Sequence, residues 1–333
     1  MIGDMSVSAT AHGKINLHLG VGDVRDDGYH ELTTVFQSVS LKETVRLTAA
    51  SQNSARTVNV AGHDAHLVPT DSSNLAWQAV DEIRKLWSER AGVPLEETMD
   101  ADIHITKGVP VAGGMAGGSA DAAAALVAAR EFYFGRHPRP QATRNHRGGA
   151  SIPAPTDVEL RTMGASLGAD IPFCLLGGTA LGTGKGEELL SVMSKGSFHW
   201  AIATDKRGLS TPKVFQHLDL QRANADRLAR RAGDPSGLQR ALMHGDPEEL
   251  APLLVNDLQA PAISLMPSLR ETMAAAKEAG ALASIVSGSG PTIAMLCADA
   301  EQAIDVATAV SVAGKASATT TTSTPASGAR VVK

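Results

Sequence analysis

Aromatic side chains are scarce in this chain of 333 residues: Phe, Trp and Tyr together make up 3% of it. An aromatic outside an apolar run is therefore conspicuous, and Tyr29, which follows "DDG", is one. Cysteine is scarcer still. Cys174 and Cys297 form no CxxC pair, so they read as buried thiols of a reducing compartment and not as a disulfide framework. Positive charge is not in excess. The net charge of -5 argues against a general nucleic-acid or polyanion binder, while leaving room for a local cationic site. The start, "MIGDMSVSAT", lacks the basic residues and apolar centre of a signal peptide. The best candidate for a membrane span, "AGALASIVSGSGPTIAMLCA", is broken near its middle by Gly, Ser and Pro. A soluble cytoplasmic protein is expected, and its length fits two domains better than one.

What is present is a succession of α and β patterns. "SVSATAHGKINLHLGV" alternates like a bent strand or strand pair, and "VFQSVSLKETVRLTAA" continues the strand character. "DSSNLAWQAVDEIRKLWSERAG" predicts a helix with Ser72 or Ser73 as N-cap, an apolar stripe through Leu75, Val80, Ile83 and Leu86, and Gly92 as its stop. "ADIHITKGVP" reads as a short strand with Ile103 and Ile105 on one face. From Phe132 to about Thr156 the chain is rich in Pro, Gly, Arg and His without an apolar period, which predicts a mobile loop. "TDVE" then carries a capping-box pattern for a helix ending at Gly168, and "SLRETMAAAKEAG" carries another. "FHWAIATD" predicts a strand, followed by helices around 214–231 and 235–243. "ASIVSGSGPTIAML" predicts two strands around a Gly/Ser loop. The threonine-rich end reads as low complexity and frayed.

The most informative stretch is "VPVAGGMAGGSADAAAALVAAR", residues 109–130. A strand, a glycine loop and then a helix is a general device for holding phosphate. The helix N-terminus offers unpaired N–H groups, and glycine lets backbone approach the oxygens. A Walker A loop would end in Gly-Lys-Ser/Thr, and "GGSAD" has no lysine. A Rossmann fingerprint would need Gly-x-Gly-x-x-Gly; only Gly114 and Gly117 fit, and the second strand is replaced by the Arg/His-rich segment. A tight turn with close helix packing is the bland alternative.

Two further segments favour phosphate. Pro110 followed by "VAGGMAGGSADAAAAL" resembles the phosphate loop of the GHMP small-molecule kinases. "IVSGSGPTIAML" resembles that family's third motif, and "GKINLHL" its first, in the right order. Within the family, "DDGYHEL", "LGADIPF" and "LSTPKVF" are together similar to the branch whose substrate is the cytidine-linked alcohol CDP-methylerythritol. The resemblance implies an α+β protein. Residues 1–197 would form a domain like ribosomal protein S5 domain 2, and residues 198–333 a ferredoxin-like domain. It further implies ATP-dependent phosphorylation of the substrate 2-hydroxyl in the non-mevalonate route to isoprenoids, by a monomer or weak homodimer. Other GHMP kinases, of the homoserine or mevalonate type, and a noncatalytic nucleotide binder on the same fold are the alternatives.

The resemblance also assigns residues. Asp170 would take the hydroxyl proton and Lys14 would polarise the hydroxyl, with Asn16 on the methylerythritol. Taken alone, Asp170 would read as a helix cap and Lys14 as a solvated strand charge. Tyr29 and Phe215 would sandwich cytosine, a flat π-surface suited to aromatic stacking. His30 would read the base edge, and Thr211 and Pro212 would line the same pocket. Ser287, Gly288, Ser289 and Gly290 would face the substrate diphosphate. Pro110, Val111, Ala112, Gly113, Gly114, Met115, Ala116, Gly117, Gly118, Ser119 and Ala120 would cradle ATP. Ser119 would approach Mg²⁺, and Asn74 and Lys107 would lie near the adenine. Ala112 and Ala116 stand where many relatives carry glycine, which a negative φ would permit.

Overall fold

Two long strands, β1 (Ser6–Val24) and β2 (His30–Ala49), pair antiparallel and carry the polar centre of the molecule. The computed structural model describes residues 6–26, 28–51, 55–111, 113–135, 152–224 and 231–332. The β1–β2 register shifts between His12 and Lys14 and again between Asn16 and His18. Such bulges re-aim side chains, and Lys14 and Asn16 lie between them. Gly13 sits at the first shift because a methyl there would come within 3.0 Å of Met115 O and 3.1 Å of the Val109 methyls.

Strands β3 (Val58–Gly62) and β4 (Ala101–Lys107) extend this sheet, separated in sequence by helix α1 (Leu75–Ala91). The N-cap of α1 is Asn74, not Ser72 or Ser73: its side chain accepts from Ala76 N. Helix α2 (Gly117–Phe134) lies against β1, β2 and α1, with Ala120 through Ala129 all buried. A helix apolar all round must be enclosed, and alanine lets its neighbours approach closely. The helix runs about one turn further than the composition suggests, to Phe134. Phe132 and Tyr133 are helical and buried, and Tyr133 donates to Met99 O, because aromatic bulk finds the core whatever follows it. The far end of the expected loop is also packed: Ile152 lies on the core and Arg90 donates to Pro153 O. Residues 136–151 lie outside the described residues.

Helix α3 (Asp157–Leu167) opens with the expected Thr156–Glu159 capping box. Helix α4 (Ile171–Leu176) follows, then the hairpin β5 (Thr179–Thr183) and β6 (Glu188–Ser191), which joins β2.

The second sheet begins with β7 (Phe198–Thr204). It is followed by α5 (Thr211–Asn224), α6 (Ser236–His244), α7 (Pro247–Leu250), β8 (Val255–Asn256) and α8 (Gln259–Leu265). Helix α9 (Ser268–Glu278), β9 (Ala283–Val286), β10 (Ile293–Cys297), α10 (Ala300–Val312) and β11 (Ala318–Thr324) complete it. Helix α9 lacks the expected capping box: its N-cap is Pro267, without a side-chain cap bond. The sheet order β11-β7-β10-β9, all antiparallel with α9 and α10 packed on it, is the ferredoxin-like arrangement.

The threonine-rich end is a strand, not a frayed tail. In β11 the β-branched threonines suit a pleated edge, and their hydroxyls find partners. Trp200 Nε1 donates to Thr324 Oγ1 at 3.0 Å, and Thr322 Oγ1 meets Ser40 Oγ at 2.9 Å. The last strand, β12 (Arg330–Val332), and β8 both return to pair with β1. One apolar core lies between the first sheet and α1–α2. A second, with Ile15, Leu17, Met115, Trp200 and Ile202, joins the two sheets. No helix among the described residues is long and apolar enough to cross a membrane.

Candidate active site

Lys14, buried on β1, points its ammonium at two oxygens. It donates to Asn16 Oδ1 at 2.7 Å and stands 3.7 Å from Asp170 Oδ2. Asp170 is the N-cap residue of α4, but its side chain makes no cap hydrogen bond. The bland reading of a helix cap therefore fails, and the carboxylate, about one-third exposed, is turned to the lysine and to solvent. Asn16 is held by its amide donating to Thr34 Oγ1 at 2.9 Å. Lysine, asparagine and aspartate thus form one polar cluster at the centre of the β1–β2 pair.

The two glycine loops meet beside this cluster. A methyl on Gly113 would overlap Gly290 O, and one on Gly114 would overlap Ser287 O. Ser287 Oγ donates to Gly114 O at 2.7 Å, and Lys14 N donates to Met115 O at 3.0 Å. Backbone therefore packs on backbone, which glycine alone permits. The first turn of α2, with Gly117, Gly118 and Ser119, opens from this junction. Its N–H groups have no intrahelical partners, so an anion is the fitting occupant. Met115 and Ala120 are buried in the core; only their backbone can serve a ligand. Pro110 lines a cleft with His63, Gly108 and Ile202, and Val111 is half-buried. Ala112 lies outside the described residues. Ala116 corrects an expectation: its φ is +57°, in the left-handed region. The chain must reverse sharply to enter α2, and the alanine bears the strain that glycine would avoid.

Behind the same turn lies a buried charge cluster that the sequence reading missed. Lys107 stands 2.7 Å from Glu43 Oε1 and 2.5 Å from Asp121 Oδ2, all three nearly inaccessible. Burial raises both carboxyls, Asp121 to about 7. The signal available was Asp121 itself, an acid in an alanine helix too apolar to face water. Lys107, expected near adenine, thus has its ammonium engaged by protein. Asn74 has its amide engaged too, capping α1 and donating to Pro69 O at 2.6 Å.

At the other end, Tyr29 is exposed in the β1–β2 turn, with Lys185 Nζ 3.7 Å from its ring centroid. His30 is buried, its Nε2 2.9 Å from Asp219 Oδ1 and its ring 5.1 Å from that of Phe215. Phe215 and Asp219 are one turn apart on α5, a pairing of 3.6-residue periodicity. Asp219 is a second residue the sequence reading missed. Thr211 and Pro212 open α5 at the surface, and Thr211 Oγ1 lies 2.7 Å from Ser289 Oγ. Helix α5 therefore bridges the aromatic cluster to the second glycine loop.

Comparisons with known proteins identify the family of the chain. The model of the GHMP kinases N terminal domain matches residues 74–178, and that of the GHMP kinases C terminal domain residues 238–316. A 4-diphosphocytidyl-2-C-methyl-D-erythritol kinase of Corynebacterium jeikeium is 60% identical, covering 98% of this chain and 94% of the relative. One from Nocardia farcinica is 50% identical over 98% of this chain and 96% of the relative. A crystal structure of a 4-(cytidine 5'-diphospho)-2C-methyl-D-erythritol kinase superposes with a TM-score of 0.71 at 26% identity, covering 96% of this chain and 99% of the other. A homoserine kinase from Cytophaga hutchinsonii shares the fold, with a TM-score of 0.69 at 17% identity, covering 100% and 98%. The chain belongs to the GHMP kinases, in the family of 4-diphosphocytidyl-2-C-methyl-D-erythritol kinases.

Proposed function

We propose that the chain transfers the γ-phosphoryl group of ATP to the 2-hydroxyl of 4-diphosphocytidyl-2-C-methyl-D-erythritol. The observation that carries this reading is the meeting of Lys14, Asp170 and both glycine loops, joined through Thr211 and Ser289 to α5, whose Phe215 faces His30 beside Tyr29. An acceptor with a base, a diphosphate and a polyol needs both ends.

In this reading Asp170 accepts the proton as the hydroxyl oxygen bonds to the γ-phosphorus and the bond to ADP breaks. Lys14 offsets the charge that develops on the transferred group, and Asn16 orients the polyol. Phosphoryl transfer depends chiefly on such positioning and charge stabilisation. Backbone N–H groups from Gly113 to Ser119 hold the triphosphate. With their side chains buried and engaged by protein, Asn74 and Lys107 would meet the adenine only through backbone. Ser287 to Gly290, with Thr211 and Pro212, face the acceptor diphosphate, and Tyr29 and Phe215 stack on cytosine.

Among the described residues no cluster of three or more His, Cys, Asp or Glu could hold a metal ion. Mg²⁺ arriving with the nucleotide would need only one or two protein oxygens, and Ser119 at the start of α2 would supply one. Bound there, Mg²⁺ would neutralise charge on the phosphates. The test is turnover with ATP and CDP-methylerythritol, with homoserine and mevalonate as competitors. A product carrying phosphate on the 2-hydroxyl is expected; preference for either competitor would overturn the proposal.

A further inference from the structure

The dipeptide Asn256–Asp257 belongs to none of the motifs above, yet its side chains bond both to the second glycine loop and to helix α5. Asn256 is in β8, which pairs in parallel with His18 and Leu19 of β1, just beyond Asn16. Asn256 donates both amide hydrogens, to Val286 O and Gly288 O at 2.7 Å each, and accepts from Leu258 N at 2.8 Å. Gly288 in turn lies against the catalytic cluster. A methyl on it would be 3.6 Å from Lys14 Nζ and 3.5 Å from Asn16 Oδ1.

Asp257 faces the base end. Its carboxylate, 3% exposed, accepts from Val21 N at 2.9 Å, Ala232 N at 2.7 Å and Arg222 Nη2 at 3.0 Å. Arg222 lies on α5 and also donates to Gly22 O at 3.3 Å. The same helix carries Phe215 and Asp219, which flank His30. Asn256 and Asp257, at the end of β8 and just beyond it, therefore tie the second glycine loop, the body of β1 and the aromatic helix together.

We infer that Asn256 and Asp257 are positioning residues that set the spacing between the phosphoryl end and the base end of the acceptor site. The inference rests on the function proposed above. An acceptor joined through a diphosphate has a fixed reach, so its hydroxyl meets Asp170 only if the base clamp stands at the matching distance. The two ends lie on different elements, and Asn256–Asp257 bonds to both. The Asn256 amide uses both donors and its acceptor, so a flipped or rotated amide would leave buried carbonyls unpaired. The Asp257 carboxylate makes charge-assisted bonds, which are stronger than neutral ones. A misplacement of about 1 Å can cost on the order of 10²-fold in rate.

The test compares two variants with the wild type. Asp257→Asn is expected to raise the acceptor KM and the Kd for cytidine diphosphate, each about tenfold, while the ATP KM stays within about twofold. Asn256→Ala is expected to lower kcat about tenfold or more, with cytidine diphosphate affinity within about twofold. Should Asp257→Asn fail to fold, Arg222→Lys, which keeps the charge but not the forked reach, is expected to show the same KM split in weaker form. Folded variants with unchanged constants, or with ATP and acceptor affected equally, would overturn the inference. A wild type that does not turn over CDP-methylerythritol would instead overturn the proposed function, and the inference with it.

Discussion

Asp170 occupies the N-cap position of α4 but caps nothing; its carboxylate stands 3.7 Å from the ammonium of Lys14. A cap left without its hydrogen bond forgoes about 1 kcal/mol, a cost consistent with selection for another task. Asp170→Asn preserves shape but cannot accept a proton. Its kcat is expected to fall about 10²–10⁴-fold with both substrates still binding. Lys14→Met is expected to be similarly severe, and the double variant hardly worse than the poorer single one, as for residues that act as a unit. Single-turnover rates at saturating substrates measure this. Near wild-type turnover in Asp170→Asn would remove the base role and leave the γ-phosphate as proton acceptor.

The aromatic end makes a separate prediction. Tyr29→Ala or Phe215→Ala each removes one stacking surface, worth about 1–3 kcal/mol per base. The acceptor KM is expected to rise accordingly, with the ATP KM nearly unchanged, since the phosphate helix α2 is elsewhere. Steady-state kinetics with each substrate varied in turn decides. Equal loss for ATP would show that neither ring belongs to a cytidine clamp.

Ala116 predicts a stabilising substitution. Its φ of +57° costs an alanine about 1–2 kcal/mol, partly offset in Ala116→Gly by the freer unfolded chain. The variant is expected to gain up to about 1 kcal/mol in urea unfolding. A loss of stability would mean that the methyl packs usefully enough to outweigh the strain.

The Glu43–Lys107–Asp121 cluster predicts a pH dependence of stability. Burial raises the folded-state pKa of Asp121 from 3.8 to about 7, so the folded protein holds a proton that the unfolded chain has released within that window. Raising the pH from 3.8 to about 7 therefore costs the folded state stability, and the loss is complete above the upper value. Asp121→Asn removes this contribution. Its unfolding free energy is expected to rise relative to wild type as the pH goes from 4.5 to 8, in denaturant titrations at several pH values. A constant difference between the two proteins would show that Asp121 is ionised throughout.

The parts of the site visible in the sequence were those whose chemistry demands a local pattern. A phosphate loop must place several small residues beside a helix start, so residues 109–130 announced themselves. Tyr29 stood out because so few aromatics compete with it. The partners of Lys107 and His30 were hidden because Glu43, Asp121 and Asp219 meet them only through strand register and helix packing. The sign of φ at Ala116 depends on how the loop enters α2, which residue identity does not encode. Composition misled at both ends of the long polar segment and in β11. Phe132 and Tyr133 follow the helix into the core, and the threonines gain order only when a sheet edge is there to receive them.

The contact between Gly113 and Gly290, and between Gly114 and Ser287, has a pharmacological consequence. Where the two loops touch, they present main chain and almost no side chain, so a triphosphate bound there as proposed would meet a surface nearly independent of sequence. A competitive inhibitor that mimics only that portion of ATP has little by which to tell this kinase from homoserine or mevalonate kinases of the same fold. With cytidine bound as proposed, discrimination has to come from the Tyr29 and Phe215 rings and the His30–Asp219 pair, which give a small molecule particular atoms to recognise.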